Sequence, residues 1–312
     1  MIQNISEQRL FNIKAAASEI EVRLRDFLRN GLFRLVDNIL DNTEQLRRRL
    51  IDNQAPGLAA MFTSLANIDF SSVYWKQQLV SSISRIFTIS QAVKNLESLP
   101  ADWQNEILAL TGVSFPQQEV AKSDPVSDIW LALAVRKEVF NSMTMVNTWY
   151  FGKTSRRFAC NVEFVAGNHI VTSVTPGAYY ECRFHYFPGI HSMRVVSQSH
   201  VRINTSFAPQ AFNGLKNALR ICRRAFSDNP FMTDIPLIMS GLRLARKDGA
   251  LYLADSDNLV FPIRISDDCG VMLLSYTGGR PFSAFVVFHD YFCEIISIWA
   301  DGKYYVLNDD ID

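Results

Sequence analysis

Over the first third of the chain apolar residues recur every three or four positions, the period of helices that each bury one face. Residues 6–40 read as one helix. Ser6 is its cap, Ile13, Ala17, Ile20, Leu24, Phe27 and Leu28 form its stripe, and Gly31 is a weak point within it. A second helix starts at Asn42 or Thr43 and runs through Ile51, where Pro56-Gly57 interrupts the pattern. Leu58, Met61, Phe62 and Leu65 form a third, short stripe. Ser71 or Ser72 opens a long helix carrying Leu79, Ile83, Ile86, Phe87, Val93 and Leu96. Pro100 opens another, which Gly112 stops.

The period changes after Pro116. Phe115 to Asp128 is polar with two prolines and reads as a linker. Beyond it, β-branched and aromatic residues alternate or run in short blocks. Ile129–Val135, Val146–Phe151, Phe158–Phe164, Tyr179–Phe187 and Met193–Ile203 read as strands. One helix interrupts them, with Pro209 at its start and Phe212, Leu215, Leu219, Cys222 and Phe226 on one face. Leu251–Leu253, Val260–Ile265, Met272–Tyr276, Ala284–Phe288, Glu294–Trp299 and Tyr304–Leu307 follow as strands, separated by Asp- and Gly-rich turns. The predicted class is α+β. An all-helical bundle occupies 1–114, a linker 115–128, and a mostly antiparallel β-rich domain with one inserted helix 129–312.

An apolar fraction of 48% over 312 residues supplies sizeable cores for two domains, and the 22 Phe are read mostly as core. Lys+Arg and Asp+Glu are 31 each. That balance gives no pull toward nucleic acid or membrane and little colloidal protection, which fits a chain that works in complex. No apolar run approaches the ~20 residues of a bilayer span, and the N-terminus lacks a secretory layout. Five scattered cysteines read as reduced thiols of a cytoplasmic protein.

Two stretches resemble a known family. Leu24, Asp26, Phe27, Gly31, Leu32 and Leu35, followed by Asp52-Asn53-Gln54-Ala55-Pro56-Gly57-Leu58-Ala59, resemble the segment that follows the zinc finger in bacterial SWIM zinc-finger family proteins. Leu99 to Asp102, Thr148 to Gly152 with Arg157 to Ala159, Phe187 to Gly189 with Met193-Arg194, and Leu273 to Pro281 with Phe285 resemble later blocks of that family in the same order. The family's finger, a C-x-C pair followed by C-x-H, has no counterpart here, so zinc ligation and finger-dependent nucleic-acid contact are not carried over. The chain is expected to be a finger-less relative or to have its finger on another chain. The resemblance implies an assembly with a MoxR-type AAA+ ATPase and a von Willebrand A-type protein.

Candidate chemistry is sparse. Cys160 with His169 or His185 could form a cysteine–histidine pair, and Cys182 with a histidine is the other candidate, but the settings are those of ordinary buried thiols. Within a strand, Cys182 and His185 fall on opposite faces. His289, Asp267-Asp268, Asp255/Asp257 and Asp309-Asp310 sit in predicted turns or at the terminus, without calcium-loop spacing. Thr277-Gly278-Gly279-Arg280 reads as a hairpin connection, not a phosphate loop. The basic clusters Arg47, Arg48, Arg49 and Lys216, Arg220, Arg223 (with Arg224) could meet phosphates or a partner, against the simpler reading of solvated helix faces. No cofactor, metal ligand set or catalytic group is assigned. The leading expectation is a non-catalytic interaction or scaffold module. A nucleic-acid-binding accessory protein and an unrecognised cysteine hydrolase are the alternatives.

Overall fold

The computed structural model describes residues 5–31, 39–72, 74–140, 143–166 and 174–307. Contacts divide the chain into two compact units, Met1–Pro116 with Pro188–Ser192, and Gln117–Phe187 with Met193–Asp312.

In the first unit α1 spans Glu7–Asn30, and the Ser6 hydroxyl accepts the Arg9 N–H at 3.2 Å to cap it. It does not run to residue 40. Gly31 stands at φ 88°, a conformation that glycine tolerates and that ends the helix there. Leu32 and Leu35 lie outside the described residues. Among the described residues the other helices of this unit are α2 (Ile39–Asp52), α3 (Pro56–Thr63), α4 (Trp75–Lys94) and α5 (Ala101–Leu110), with 3₁₀ turns at Ser64–Asn67 and Leu96–Ser98. Ile13, Ala16, Ala17, Ile20, Leu24 and Phe27 of α1 are buried, as are Leu79, Ile83, Ile86, Ile89 and Val93 of α4, which packs along α1. Leu28 and Phe87, expected on these stripes, are exposed instead. Glu21 of α1 is also buried. Lys94, 2.7 Å away, and Arg25 hold its carboxyl below the usual range, the Lys94 hydrogen bond first among the causes.

The proline–glycine break at Pro56-Gly57 has a packing reason. The Gly57 N–H donates to Thr111 O at 3.0 Å, so the start of α3 lies directly on the end of α5. A Cβ on Gly57 would stand 2.1 Å from Leu110 O and 2.6 Å from Gly112 N, both backbone atoms that cannot swing aside.

In the second unit the predicted linker is occupied by a short helix, α6 (Gln117–Val120), and by the start of β1 (Val126–Phe140). β1, β2 (Met143–Gly152), β3 (Phe158–Ala166), β4 (Tyr179–Tyr186) and β5 (Arg194–Ile203) close a barrel in the order β1-β2-β3-β5-β4. All its pairings are antiparallel except β3–β5, a short parallel contact at Cys160↔Arg194 and Asn161↔Val195. This order with its single parallel contact is that of the five-stranded Greek-key OB barrel. Trp130, Ala132, Tyr150, Ala159, Tyr180, Cys182, Phe184 and Val195 fill its interior.

A seven-stranded sheet follows. β6 (Phe212–Asn213) pairs with β7 (Ile235–Lys247), and the path β12-β11-β10-β7-β8-β9 adds Ala250–Ala254 (β8), Val260–Pro262 (β9), Phe282–Phe288 (β10), Cys293–Ala300 (β11) and Lys303–Val306 (β12). The inserted helix is α7 (Leu215–Asp228); Pro209 precedes β6 and lies outside it. One face of the sheet, with Leu237, Met239, Ala284, Val286 and Ile295, packs under α7 and a further helix, α8 (Asp267–Thr277). The other face, with Ile238, Phe285, Val287 and Ile296, packs on Leu131, Leu133, Trp149, Phe151 and Phe158 of the barrel.

α8 corrects the strand expected at Met272–Tyr276. The Ser266 hydroxyl caps Cys269 N–H at 3.3 Å, Asp267 and Asp268 sit in the first turn where the helix dipole favours acids, and Gly278 closes it at φ 58°. Thr277–Arg280 therefore joins a helix to a strand, and Asp267-Asp268 belongs to a helix start. The strand β7 was not expected at all.

Replacing Gly57 with Ala is expected to destabilise the helical unit by about 1–3 kcal/mol, the usual range for forcing a methyl into a packed contact. The denaturant midpoint of the purified chain measures it; an unchanged midpoint would show that the α3–α5 contact yields.

Candidate functional site

The predicted basic residues separate into two kinds. On α2, Arg47 and Arg48 reach the Glu44 carboxylate at 2.7 and 3.0 Å, and Arg49 reaches Glu19 of α1 at 3.0 Å. Arg47 first, then Arg48, hold Glu44 down at about 2 through their hydrogen bonds. All three guanidinium groups of this cluster are thus ion-paired within their own unit, on two carboxylates. On α7 the arrangement differs. Leu215, Ala218 and Cys222 are buried against the sheet, while Lys216, Arg220, Arg223 and Arg224 all point to solvent. Arg224 approaches Asp228 at 4.0 Å; among the described residues Lys216, Arg220 and Arg223 enter no ion pair.

The structure does not bring Cys160 or Cys182 to His185. His185 Nδ1 contacts Ser123 O at 2.7 Å, on the other side of β4 from Cys182, as alternation required. His169 lies outside the described residues. Burial pushes the Cys160 thiol up to about 12 and those of Cys182 and Cys222 up to about 11, and raises Cys293 further. A thiol held protonated is a poor nucleophile.

A histidine that the sequence reading passed over does enter the barrel. His200 Nε2 lies 3.1 Å from the Tyr150 hydroxyl, His200 Nδ1 lies 3.3 Å from Ser197 Oγ, and Ser197 Oγ lies 3.3 Å from Cys182 Sγ. Ser197 and His200 are three apart, so a regular strand would send them to opposite faces. A bulge, where Cys182 pairs with His200 but Phe184 with Ser197, absorbs one residue and turns both inward. Burial among Tyr150, Tyr180 and Phe184 lowers the pKa of His200, which favours the neutral ring. The line braces the barrel wall.

The second buried cluster surrounds His289, which occupies the β10–β11 turn as predicted but is not merely solvated. Its Nδ1 lies 2.9 Å from Asp234 and its Nε2 lies 3.8 Å from Glu294, which in turn meets Arg136 of β1 at 2.6 Å. Burial alone would lower the His289 pKa; Asp234 and Glu294 outweigh it and raise it to about 9. Burial alone would raise Glu294; His289 and Arg136 hold it down at about 2. The cluster ties the sheet to the barrel by charge.

Asp255, expected in a solvated turn, is buried. It accepts the N–H groups of Leu215 at 2.7 Å and of Asp257 and Leu259 at 3.0 Å, fixing the start of α7 to the loop after β8. Between the β7–β8 hairpin and α8 an open groove of about 310 Å³ is lined by Leu244, Leu251, Val271 and Leu274, with Arg246 and Asp267 on it. Among the described residues no group of three or more His, Cys, Asp or Glu is placed to hold a metal ion, and no helix is long and apolar enough to cross a membrane.

Two outcomes follow. At pH 7.5 native Cys160, Cys182 and Cys293 are expected to resist iodoacetamide until the chain is unfolded; rapid labelling of any of them, read by mass spectrometry, would reopen the cysteine-nucleophile reading. His289 has its folded pKa raised from 6.5 to about 9, so its contribution is complete below pH 6.5 and lost as pH rises through about 9. The stability difference between the wild type and His289→Gln should therefore shrink from pH 6 to pH 9.5, as measured by denaturant titration.

Residues 8–111 match the family model described as a SWIM-associated four-helix bundle domain. The match covers the helices of the first unit and ends where α5 does, in keeping with the region after the finger that the sequence resembles. No curated protein and no solved structure matches the chain.

Proposed function

We propose that the chain is a non-catalytic, SWIM-associated interaction module. The observation that carries this reading is the outer face of α1, within the matched domain. Phe11 is 68% exposed and Val22 61% exposed, and their separation of eleven positions brings both onto one line of the helix, with Ala15 and Ser18 between. Two large apolar side chains in line on the outside of a helix whose inner face is fully packed support the reading of this face as a protein contact. The raised thiols support the reading against a cysteine hydrolase. The barrel supports it as well: OB barrels take oligonucleotides on their β2–β3 face, and here Trp149, Phe151 and Phe158 of those strands are spent on the seven-stranded sheet. The paired state of Arg47, Arg48 and Arg49 leaves the nucleic-acid reading with α7 alone.

By the family resemblance, the partners are a MoxR-type AAA+ ATPase and a von Willebrand A-type protein in a cytoplasmic bacterial assembly. Purified chain mixed with each of those two proteins from the same host is expected to co-elute with at least one in size-exclusion chromatography. Phe11→Ser with Val22→Ser should weaken that complex about tenfold or more, as the loss of two buried apolar side chains predicts. Co-elution that survives the double substitution would remove α1 as the contact, and failure to associate with either protein would remove the assembly.

A further inference from the structure

Lys216, Arg220 and Arg223 stand at i, i+4 and i+7 of α7, so on an α-helix they fall within an arc of about 60° and along a rise of about 10 Å. Arg224 flanks the row. The opposite side of the helix is locked to the sheet through Leu215, Ala218 and Cys222, and Asp255 anchors its first turn. The cations are thus held on a fixed element. Among the described residues three of them enter no ion pair, whereas each arginine of the other cluster is paired.

We propose that this row docks an acidic helix of a partner protein, with carboxylates at i, i+3/i+4 and i+7 facing the three cations. The argument is charge complementarity at matching spacing. Carboxylates four residues apart on a helix are about 6 Å apart along its axis, the rise between Lys216 and Arg220, and arginine meets a carboxylate through two parallel N–H donors. A nucleic acid fits less well. The outward row of α7 continues to Ser227 and carries no aromatic side chain, so bases have no platform to stack on, and four cations neutralise few phosphates. The row steers the partner and sets its register more than it supplies affinity. The inference rests on the reading of the chain as an interaction module but uses a surface in the other unit.

The test uses the full chain and three fluorescein-labelled probes in anisotropy titrations at low salt. The first is an alanine-based helical peptide with glutamates at i, i+4 and i+7. The second has the same composition with the glutamates spread around the helix. The third is oligo-dT. The in-register peptide should bind about fivefold or more tightly than the scrambled one, an advantage that salt weakens. Lys216→Gln/Arg220→Gln/Arg223→Gln should abolish it, Arg48→Gln should not, and Phe11→Ser/Val22→Ser should leave it intact, which separates this surface from that on α1. Circular dichroism melts confirm that the variants remain folded. Equal binding of the two peptides, or an advantage that persists in the triple variant, overturns the proposal. Oligo-dT bound more tightly than either peptide and lost in the triple variant overturns it in favour of nucleic acid.

Discussion

The arrangement of the second unit depends on one constraint: the central strands of its sheet must be covered on both faces. β7 begins Ile-Pro-Leu-Ile-Met, β10 reads Phe-Ser-Ala-Phe-Val-Val-Phe and β11 reads Cys-Glu-Ile-Ile-Ser-Ile-Trp-Ala, with almost every position buried. Such strands have no solvent face to spare. Alternate residues therefore call for two separate covers, and the chain supplies them from different places. The barrel strands before the sheet cover Ile238, Phe285 and Val287, while α7 and α8, inserted between its strands, cover Leu237, Met239, Ala284 and Val286. Burying these apolar side chains is worth about 1.5–3 kcal/mol each before entropy is counted, which exceeds what any surface ion pair here contributes.

That constraint also decides what the unit can offer to others. Trp149, Phe151 and Phe158 would form an aromatic platform on a free OB barrel, but they become core when the sheet lies across them. Polar groups caught near this interface need internal partners, and Arg136, Glu294, His289 and Asp234 supply one another. On the far side, α7 uses its apolar face for the sheet and has only its cationic face left to present. The basic surface is thus a residue of the packing geometry as much as of the sequence.

The helical half was largely legible because each helix shows its period and its punctuation. Pro56-Gly57 and Gly112 were read as breaks, and the structure adds why Gly57 must be glycine: Leu110 O and Gly112 N leave no room for a Cβ. At Gly31 the apolar period continues across the glycine and hides the break, whereas its positive φ ends the helix. In the β half, strand positions were legible but their company was not. Ser-Asp-Asp before Cys269 is a helix start, yet Met272, Leu273, Leu274 and Tyr276 are equally at home in a strand, and composition decided wrongly. β7 escaped notice because Pro236 and Gly241 punctuate it, although Pro236 sits at its second position and Gly241 at a bend of φ 71°.

The buried histidine line in the barrel shows the limit of such reading most clearly. Ser197 and His200 carry no spacing signal for a shared face; they share one only because β5 holds one residue more than β4 across the bulge. A bulge is a property of two strands paired in register, and neither strand alone contains it. The cationic row of α7 is the contrary case. Its helical spacing is legible in the sequence, whereas Arg47, Arg48 and Arg49 are consecutive and spread around most of their helix. A second difference is the carboxylates within reach: Glu44 and Glu19 pair with one cluster, and among the described residues Lys216, Arg220 and Arg223 enter no ion pair. Spacing fixes where charges can act together, and the acids within reach, on the same helix for Arg47 and Arg48 and on a neighbouring helix for Arg49, decide which of them are left to act.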